Sequence, residues 1–331
     1  MYTSITTALL SMEVGRFLVF IVLFRLVVFM VKSWLQGGKC TSKARLDGKV
    51  AVITGASAGI GKETARELVK RGAEVHVLCR GGEKAEKMKR EVLQDTGREV
   101  FLHKVDLASL GSVRECVTEL QGCLEKIDIL INNAGVATCP LWRTSEGYEL
   151  QFGTNHVGHF LLTTELLPLL RKSGKARVVV VSSKVHKFGK INFDDLHWRT
   201  RPYDPFGAYS QSKLANNLFA TELARRETEC KSGVSVYCVH PGTVKTEIIR
   251  HVNQSSGFFM NILILIVFNF FSKTPESGAQ TSLYCALEES LENNTGKYYE
   301  DCKEVSSKEG SNMENAKKLW DVTLDMVNKS Q

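Results

Sequence analysis

The sequence lacks the paired cysteines that mark disulfide frameworks and structural zinc sites. Its nine cysteines are scattered over 331 residues, their number is odd, and no two of them form a C-x-x-C pair. This distribution argues against both kinds of site and favours a reducing compartment. His156 and His159 are three residues apart but lack the H-E-x-x-H arrangement of helical zinc ligands. We therefore expect no bound metal, and a packing or substrate-lining role for both histidines.

A strong charge of one sign is also absent. The formal net charge of +7 is mild, and the basic residues form neither a basic helix nor a stripe interleaved with aromatic side chains. Nucleic acid is therefore not an expected partner. The sequence likewise has no internal repeat with a period of about 20 to 50 residues and no linker between residues 50 and 299. We predict an N-terminal extension over 1–46, one folded domain over 47–303 and a C-terminal tail over 304–331.

Apolar, β-rich runs alternate with helical stretches along most of the chain. This alternation predicts a parallel sheet covered by helices on both faces. Runs such as IDILIN at 127–132 are almost continuously apolar, as expected for strands buried on both sides. We predict an α/β fold, a Rossmann-type doubly wound parallel β-sheet of about seven strands. The predicted strands are 50–53, 74–78, 100–104, 127–131, 177–181, 235–239 and 297–299.

A glycine-rich turn follows the first predicted strand. The strand Val50–Ile53 leads into TGASAGIG at 54–61 and then into the helical stretch KETARELVKRG. A strand, a tight glycine turn and a helix N-terminus present backbone N–H groups and the helix dipole to a phosphate. The spacing differs from the G-x-G-x-x-G fingerprint, and an ordinary strand-to-helix turn is the alternative interpretation. The flanking elements favour a dinucleotide site.

The run YSQSK at 209–213 places a phenol and an ammonium group four residues apart. Positions i and i+4 share one face of a helix, so Tyr209 and Lys213 can face one site. A free tyrosine has a pKa of about 10, and a nearby positive charge favours the phenolate. The pair is therefore a candidate general acid and base near neutral pH. A half-buried tyrosine beside a solvated lysine would give the same pattern.

Six motifs occur in register between about Asp47 and Tyr299. They are TGASAGIG at 54–61, NNAG at 132–135, Asn155 in TNHVGHF, Ser183 after VVVVS, YSQSK at 209–213 and PG at 241–242. Together they resemble the short-chain dehydrogenase/reductase family. Within it, HVGHF, HPGTVKTEIIRH, GAQTSLYCALE and GKYYEDCK are similar to the microsomal, NADP-linked retinol dehydrogenases that act on all-trans retinoids, and related lipid-carbonyl reductases share parts of these stretches.

The resemblance implies a catalytic role for four residues. Tyr209 would donate a proton to a carbonyl oxygen as hydride leaves a nicotinamide, and would act as the base in the reverse reaction. Lys213 would lower the pKa of Tyr209 and contact the nicotinamide ribose. Ser183, rather than the adjacent Ser182, would hydrogen-bond the carbonyl oxygen, so Ser183 and Tyr209 are the implied substrate contacts. Asn155 would hold a water that links Lys213 to solvent.

The resemblance also implies cofactor contacts that begin at the glycine turn and continue to the PG motif. Asn132, by contrast, is expected to hold the central strands together and to shape the pocket near the adenine ribose. The implied cofactor contacts are Gly55, Ser57, Ala58, Gly59, Ile60, Gly61, Arg80, Asp106, Leu107, Asn133, Ala134, Gly135, Tyr209, Lys213, Pro241, Gly242 and Thr243.

The end of the second strand bears on cofactor choice. An NAD enzyme is expected to present an acidic residue there to the ribose hydroxyl, and this chain has Arg80 and no acid. A guanidinium can bind the 2′-phosphate of NADP with two hydrogen bonds, so we predict NADP(H). Ala58 departs from relatives that carry a basic residue at that position, and Lys62 is a candidate substitute. Because cytosolic NADP is mostly reduced, this preference would favour reduction of aldehydes.

An apolar stretch near the N-terminus predicts a membrane anchor and linker over 1–46. Val14–Leu35 would form a helix of about 33 Å, enough to span a bilayer core of about 30 Å. Arg25 near its middle costs roughly 2.5–3.5 kcal/mol, which the apolar residues outweigh at about 0.3–0.6 kcal/mol each. A cleaved signal peptide is the alternative, but residues 1–11 carry no charge. Basic residues follow the stretch, so the positive-inside rule predicts a single-pass protein of the endoplasmic reticulum membrane whose catalytic domain, 47–303, faces the cytosol.

A second apolar stretch, Phe258–Phe271, lies where the family places its substrate-covering segment. Asn261 and Asn269 interrupt it, and it is too short for a confident span. We predict an apolar lid that can enter the membrane surface and pass apolar substrate to the site. A helix packed on the domain is the alternative.

Three hypotheses for function follow. The first is an NADPH-dependent reductase of all-trans-retinal, which can also oxidise retinol. The second keeps the enzyme class and changes the substrate to other lipophilic carbonyls, such as lipid aldehydes, steroids or polyprenals. The third is a catalytically silent membrane protein that binds nucleotide or lipid. The intact set of four implied catalytic residues argues against it.

The resemblance also implies a possible homodimer, because the helices that begin near Glu146 and Tyr209 are those through which many relatives dimerise.

Overall fold

A single sheet forms the centre of the protein in the computed structural model, which describes residues 19–28, 30–32, 35–244, 272–292 and 294–329. Its strands are β1 (Val50–Thr54), β2 (Glu74–Cys79), β3 (Phe101–Lys104), β4 (Ile129–Asn132), β5 (Arg177–Val181), β6 (Ser235–His240), β7 (Lys297–Glu300) and β8 (Lys303–Glu304). Their order across the sheet is β3-β2-β1-β4-β5-β6-β7-β8. All neighbours are parallel except the antiparallel pair of β7 and β8. The order reverses between β1 and β4, and ligands of such sheets bind at this switch point.

Helices cover both faces of the sheet. The longer ones in the described part are α1 (Gly59–Lys70), α2 (Glu83–Thr96), α3 (Leu110–Cys123), α4 (Gly158–Lys172), α5 (Pro205–Glu229), α6 (Pro275–Leu287) and α7 (Met313–Asn328). The buried residues of α1, α2 and α6 form one apolar cluster, and those of α3, α4, α5 and α7 form the other. Successive strand residues point to opposite faces. In β1, Ala51 and Ile53 therefore join the first cluster and Val52 the second.

The predicted fold class is confirmed, and one strand was missed. Each predicted strand corresponds to an observed one from β1 to β7. The eighth strand arises because Asp301 and Cys302 both have positive φ angles, 53° and 58°, and turn the chain back onto β7. A two-residue turn with positive φ at both positions is usually signalled by Asn-Gly or Asp-Gly. The sequence Asp-Cys carries no such signal.

The predicted C-terminal tail contains helix α7, which packs on the domain. Its Leu319 and Trp320 are buried in the apolar cluster that includes α4 and α5. The Trp320 ring lies 4.8 Å from the ring of Phe160 and 5.9 Å from that of Phe219, measured between centroids. The boundaries at 46/47 and 303/304 remain predictions.

The linker that follows the N-terminal helical residues lies along α6. The Gln36 side-chain oxygen accepts from the Thr274 N–H (3.0 Å), and the Cys40 N–H donates to the Gln280 side chain (3.1 Å). The Ser42 hydroxyl donates to the Leu287 carbonyl (3.2 Å). In the described ranges, no helix combines the length and apolar character needed to cross a bilayer. The predicted anchor, 14–35, lies partly outside the described residues, and the predicted lid, 258–271, lies wholly outside them.

Candidate active site

The glycine turn joins β1 to α1 at the switch point of the sheet. Gly55 has a φ of +68°, and a Cβ atom there would lie 2.8 Å from the Cα of Ala134. A Cβ atom on Gly61 would lie 2.5 Å from the Asn133 side-chain nitrogen. Only glycine at these two positions permits the close contact of residue 55 with Ala134 and of residue 61 with Asn133. Helix α1 begins at Gly59 after an extended Ala58 that offers no side-chain cap, so its first N–H groups are available to an anion.

Other predicted residues of the turn divide between this cradle and the core. Ser57 is half-buried in the turn itself. Ile60 packs against the apolar cluster of α1 and α6, near Gly278, where a Cβ atom would lie 3.1 Å from its side chain. The Ile60 side chain therefore braces the turn from the α6 side.

Thr54, the last residue of β1, ties the glycine turn to the loop after β4. Its hydroxyl oxygen accepts from the N–H groups of Asn133 and Ala134, both at 2.9 Å. The Asn133 side chain donates back to the carbonyls of Thr54 (2.9 Å) and Gly55 (3.2 Å). Thr54 was not among the predicted site residues. Its position at the end of a buried strand, directly before the first motif glycine, is the signal that could have identified it.

The expectation for Asn132 is corrected. Its side chain donates to the Thr163 hydroxyl on α4 (2.7 Å), so it links the sheet to a helix. Asn133 makes the bonds that hold the end of β1 to the loop after β4. Asn133 therefore takes the structural role predicted for Asn132, because successive side chains at the end of a strand point to opposite faces.

Asn155 lies in a π turn, Gly153–Val157, that leads into α4. Its side chain is fully buried, accepts from the Val136 N–H (2.8 Å) and donates to the Val136 carbonyl (2.9 Å) and the Ser212 hydroxyl (3.0 Å). A Cβ atom on Gly135 would lie 3.1 Å from the Asn155 Oδ1 and 3.6 Å from the Lys213 Nζ. Gly135 therefore leaves space where these two polar groups converge.

The two histidines near Asn155 have packing roles. The Nδ1 atom of His159 lies 3.0 Å from the Asn155 carbonyl oxygen, and its Nε2 atom lies 2.8 Å from the Thr54 hydroxyl. Because a carbonyl only accepts, Nδ1 carries the proton and Thr54 donates to Nε2. His156 contacts the Thr323 hydroxyl of α7 (3.0 Å). Burial lowers the pKa of His159 to about 4 and that of His156 to about 3, so both are neutral at pH 7.

Helix α5 carries Tyr209 and Lys213 on the face towards the ends of β5 and β6. The Lys213 Nζ donates to the Val181 carbonyl (3.0 Å) and lies 5.8 Å from the centroid of the Tyr209 ring. Burial lowers the pKa of Lys213 to about 8. Burial raises the pKa of Tyr209 to about 12, although its hydrogen bond with the Ser183 side chain acts in the opposite direction. The lowering of the Tyr209 pKa by Lys213, which the resemblance implied, remains a prediction.

Two adjacent serines after β5 face different ways. Ser182 is buried, and its hydroxyl donates to the Lys213 carbonyl (2.8 Å). Ser183 is half-buried and caps the 3₁₀ turn Lys184–Phe188, and its side chain meets Tyr209. The geometry therefore presents Ser183, not Ser182, to the space in front of Tyr209.

Three predicted cofactor residues follow β2 and β3. Arg80 is exposed directly after β2. Asp106 is exposed after β3, and its carboxylate accepts from the Ala108 N–H (3.0 Å). Leu107 is buried, and a Cβ atom on Gly158 would lie 2.4 Å from its carbonyl oxygen. The Leu107 side chain therefore belongs to the core, and only its backbone can face the site.

The PG segment after β6 packs against a buried lysine, Lys273, which was not among the predicted site residues. Gly242 has a φ of +88°, and a Cβ atom there would lie 2.7 Å from the Lys273 side chain. The Lys273 N–H donates to the Thr243 carbonyl (2.7 Å), and its ammonium forms an ion pair with Asp301. Pro241 is buried beside them. No local pattern signals Lys273, because its partners lie in other segments of the chain.

The sequence is similar to a known family and to named relatives. The family described as short chain dehydrogenase matches residues 49–257. The chain is 43% identical over 300 residues to human retinol dehydrogenase 13, covering 90% of each chain. It is 45% identical over 299 residues to human retinol dehydrogenase 11, covering 90% of this chain and 91% of the relative.

Solved structures share the fold. A crystal structure of an uncharacterized protein from Mycobacterium paratuberculosis has a TM-score of 0.72 and 33% identity, and covers 88% of this chain and 98% of that one. A short chain dehydrogenase from Shigella flexneri complexed with NADP has a TM-score of 0.60 and 23% identity, covering 78% and 98%. The second similarity concerns the fold alone.

Proposed function

Because the chain belongs to the short-chain dehydrogenase family and is an NAD(P)-dependent oxidoreductase, we propose that it interconverts all-trans-retinal and retinol with NADP(H), mainly as a retinal reductase. The observation that carries the proposal is the meeting of Ser183, Tyr209 and Lys213, with Lys213 beside Gly135 in the loop that contacts the glycine turn. The identity to retinol dehydrogenases supports the substrate class.

The residues of the switch point fit a dinucleotide. The cradle at Gly55 and Gly61 admits a close backbone approach, and the uncapped start of α1 offers N–H groups to the pyrophosphate. Exposed Arg80 would bind the 2′-phosphate that distinguishes NADP from NAD. When bound, the reduced cofactor supplies the hydride.

Ser183 and Tyr209 would hold the substrate carbonyl oxygen through their hydroxyl groups. Tyr209, whose raised pKa keeps it protonated, would give its proton to that oxygen as the carbonyl carbon gains hydride, which leaves a neutral alcohol and a phenolate. Lys213, with a pKa of about 8, is mostly charged at neutral pH and would stabilise the phenolate. A water between Asn155 and Lys213, in the space beside Gly135, would return the proton.

An apolar substrate is supported by two exposed aromatic rings. Phe188 ends the turn that Ser183 caps, and Phe206 lies one turn before Tyr209. Their side chains are 70% and 46% exposed, and their ring centroids are 6.2 Å apart. Such a pair would contact the apolar chain of a retinoid, and equally that of another lipid carbonyl, because apolar surfaces discriminate weakly between similar ligands.

We further propose the endoplasmic reticulum membrane as the location, with the catalytic domain in the cytosol. The free cysteines of the described part, which include buried Cys238 and exposed Cys123, support a reducing compartment. The homodimer remains a prediction.

The test is NADPH consumption by detergent-solubilised protein with all-trans-retinal. We expect turnover with NADPH, little with NADH, and loss of turnover in Tyr209→Phe, because the proton donor is removed. Tyr284→Phe, which removes a phenol on α6, is the matched control and should retain the wild-type rate.

Absence of turnover despite NADPH binding would reject the retinoid assignment. Turnover with lipid aldehydes, steroids or polyprenals would then identify the alternative substrate class. Inactivity on that whole panel would instead favour a silent binding protein.

A further inference from the structure

His186 lies behind Ser183 and connects it to a distant segment. It is fully buried in the 3₁₀ turn Lys184–Phe188. Its Nδ1 lies 2.7 Å from the Ser183 carbonyl oxygen, and its Nε2 lies 2.8 Å from the Ser307 hydroxyl, 121 residues along the chain. The ring also packs edge-on against Tyr298, with centroids 4.8 Å apart. None of these contacts reaches the substrate side of Ser183.

The hydrogen bonds around His186 are satisfied by one protonation state. The Ser183 carbonyl only accepts, so Nδ1 carries the proton, and Nε2 must accept from Ser307. The Ser307 oxygen in turn accepts from the Asn217 side chain (3.3 Å) and the Gly310 N–H (3.2 Å). Burial lowers the pKa of His186, which favours this neutral form. The donors and acceptors are therefore matched along the whole connection.

The chain of hydrogen bonds from Ser183 through His186 and Ser307 ends at Asn217, close to Lys213. Asn217 lies one helical turn after Lys213 on α5 and accepts from the Cys238 thiol (2.9 Å). Asn217, Cys238 and Ser307 border a cavity of about 310 Å³. Because side chains do not fill this space, Ser307 is not fixed by close packing on that side, and its hydrogen bonds contribute to its position.

We propose that His186 is a positioning residue that holds Ser183 through its backbone carbonyl, and that Ser307 makes this hold depend on the C-terminal segment 305–311. The inference rests on the role given to Ser183 in the proposed function. The Ser183 hydroxyl must meet both Tyr209 and a carbonyl oxygen, and displacement of a catalytic group by about 1 Å can cost about 100-fold in rate.

Two variants separate the contacts of His186. His186→Phe keeps an aromatic ring against Tyr298 and the backbone hydrogen bond from the residue 186 N–H to the Ser183 carbonyl (3.0 Å), but removes both hydrogen bonds of the side chain. We expect kcat to fall about 10-fold to 100-fold. KM for NADPH should stay within about twofold, because the glycine turn is untouched. His186→Asn keeps a donor near the Nδ1 position, so it should recover most of kcat. Ser307→Ala should give an intermediate loss.

The matched control is Thr221→Val, which removes a hydrogen bond from α5 to the Gly310 carbonyl (2.9 Å). It removes a neighbouring contact of the same C-terminal segment but keeps the hydrogen bond between His186 and Ser307, so kcat should be retained. Equal losses of kcat in Thr221→Val and His186→Phe, or no recovery in His186→Asn, would overturn the positioning role.

A double variant tests whether His186 acts through Ser183. If it does, His186→Phe adds no further loss to Ser183→Ala, because the group being positioned is already gone. The substrate is all-trans-retinal, or a polyprenyl aldehyde if the wild type does not reduce retinal, so failure of the retinoid assignment leaves the comparison intact.

The remaining outcomes are distinct. Multiplicative losses in the double variant would overturn the inference alone. Full activity in Ser183→Ala would reject the role of Ser183, and the inference would fall with it.

Discussion

The cofactor side and the catalytic side of this site are built in different ways. At the glycine turn, the groups offered to the cofactor are backbone N–H groups, and the absence of side chains at Gly55 and Gly61 makes space for it. Around Lys213 and Asn155, the contacts are buried side chains whose hydrogen bonds are mutually satisfied. Added side-chain atoms should therefore impair the cofactor side, whereas loss of a proton or of a polar group should impair the catalytic side.

Thr54 joins the two regions. Its hydroxyl accepts from the loop that carries Asn133 and donates to His159, which donates to the Asn155 carbonyl. A threonine at the end of a strand thus connects the cofactor cradle to the residues proposed for proton transfer.

The largest effect should come from one added carbon at the glycine turn. In Gly61→Ala the new Cβ would lie 2.5 Å from the Asn133 side chain and 2.6 Å from the Gly55 carbonyl, so the cradle must shift. We expect KM for NADPH to rise about 100-fold with a smaller change in kcat, measured by steady-state kinetics. Gly122→Ala on α3 is the control, since no heavy atom lies within 4 Å of its new Cβ. If Gly61→Ala lowered kcat more than it raised KM for NADPH, the proposed difference between the cofactor side and the catalytic side would be wrong.

A smaller effect is expected at the rim of the cofactor region. Arg80→Ala removes the proposed partner of the 2′-phosphate, and a charge-assisted hydrogen bond of about 1.5–3 kcal/mol corresponds to roughly a 10-fold to 100-fold rise in KM for NADPH. KM for NADH should not change, and Arg90→Ala, an exposed arginine on α2, should alter neither. Parallel weakening of NADH would remove Arg80 as the basis of cofactor choice.

The smallest effect is a pH dependence confined to the catalytic region. Lys213 has a pKa lowered to about 8, so it is charged below that pH and neutral above it. The rate of aldehyde reduction at saturating NADPH should fall to about half near pH 8 and about tenfold per further unit. In Lys213→Arg the charge persists, and the decline should move upward. A decline that stays near pH 8 in this variant would assign it to another group.

Lys213 should affect stability in the opposite direction: its contribution to the free energy of unfolding should rise with pH, whereas the rate falls. The folded protein gives up the Lys213 proton more readily than the unfolded chain, whose lysine has a pKa of 10.5. The free energy of unfolding should therefore gain from Lys213 as pH rises from about 8 to 10.5.

What the sequence could predict was local. The strands and the glycine turn follow from patterns within a few residues. Lys273 could not be predicted, because its partner Asp301 lies 28 residues away beyond helix α6. His186 and Ser307 are farther apart still. Asn132 and Asn133 could not be distinguished, because the facing of a residue at a strand end depends on where the strand stops.

The docked linker bears on where the chain can be shortened. Arg71 donates to the carbonyls of Ser42 (2.8 Å) and Ala44 (3.1 Å), and Cys40 is bonded to α6. A version that starts at Asp47 would leave this guanidinium and the side of α6 to water, whereas one that starts at Gln36 keeps these contacts and the hydrogen bond between Gln36 and Thr274. For expression without the apolar N-terminal stretch, Gln36 is the natural first residue.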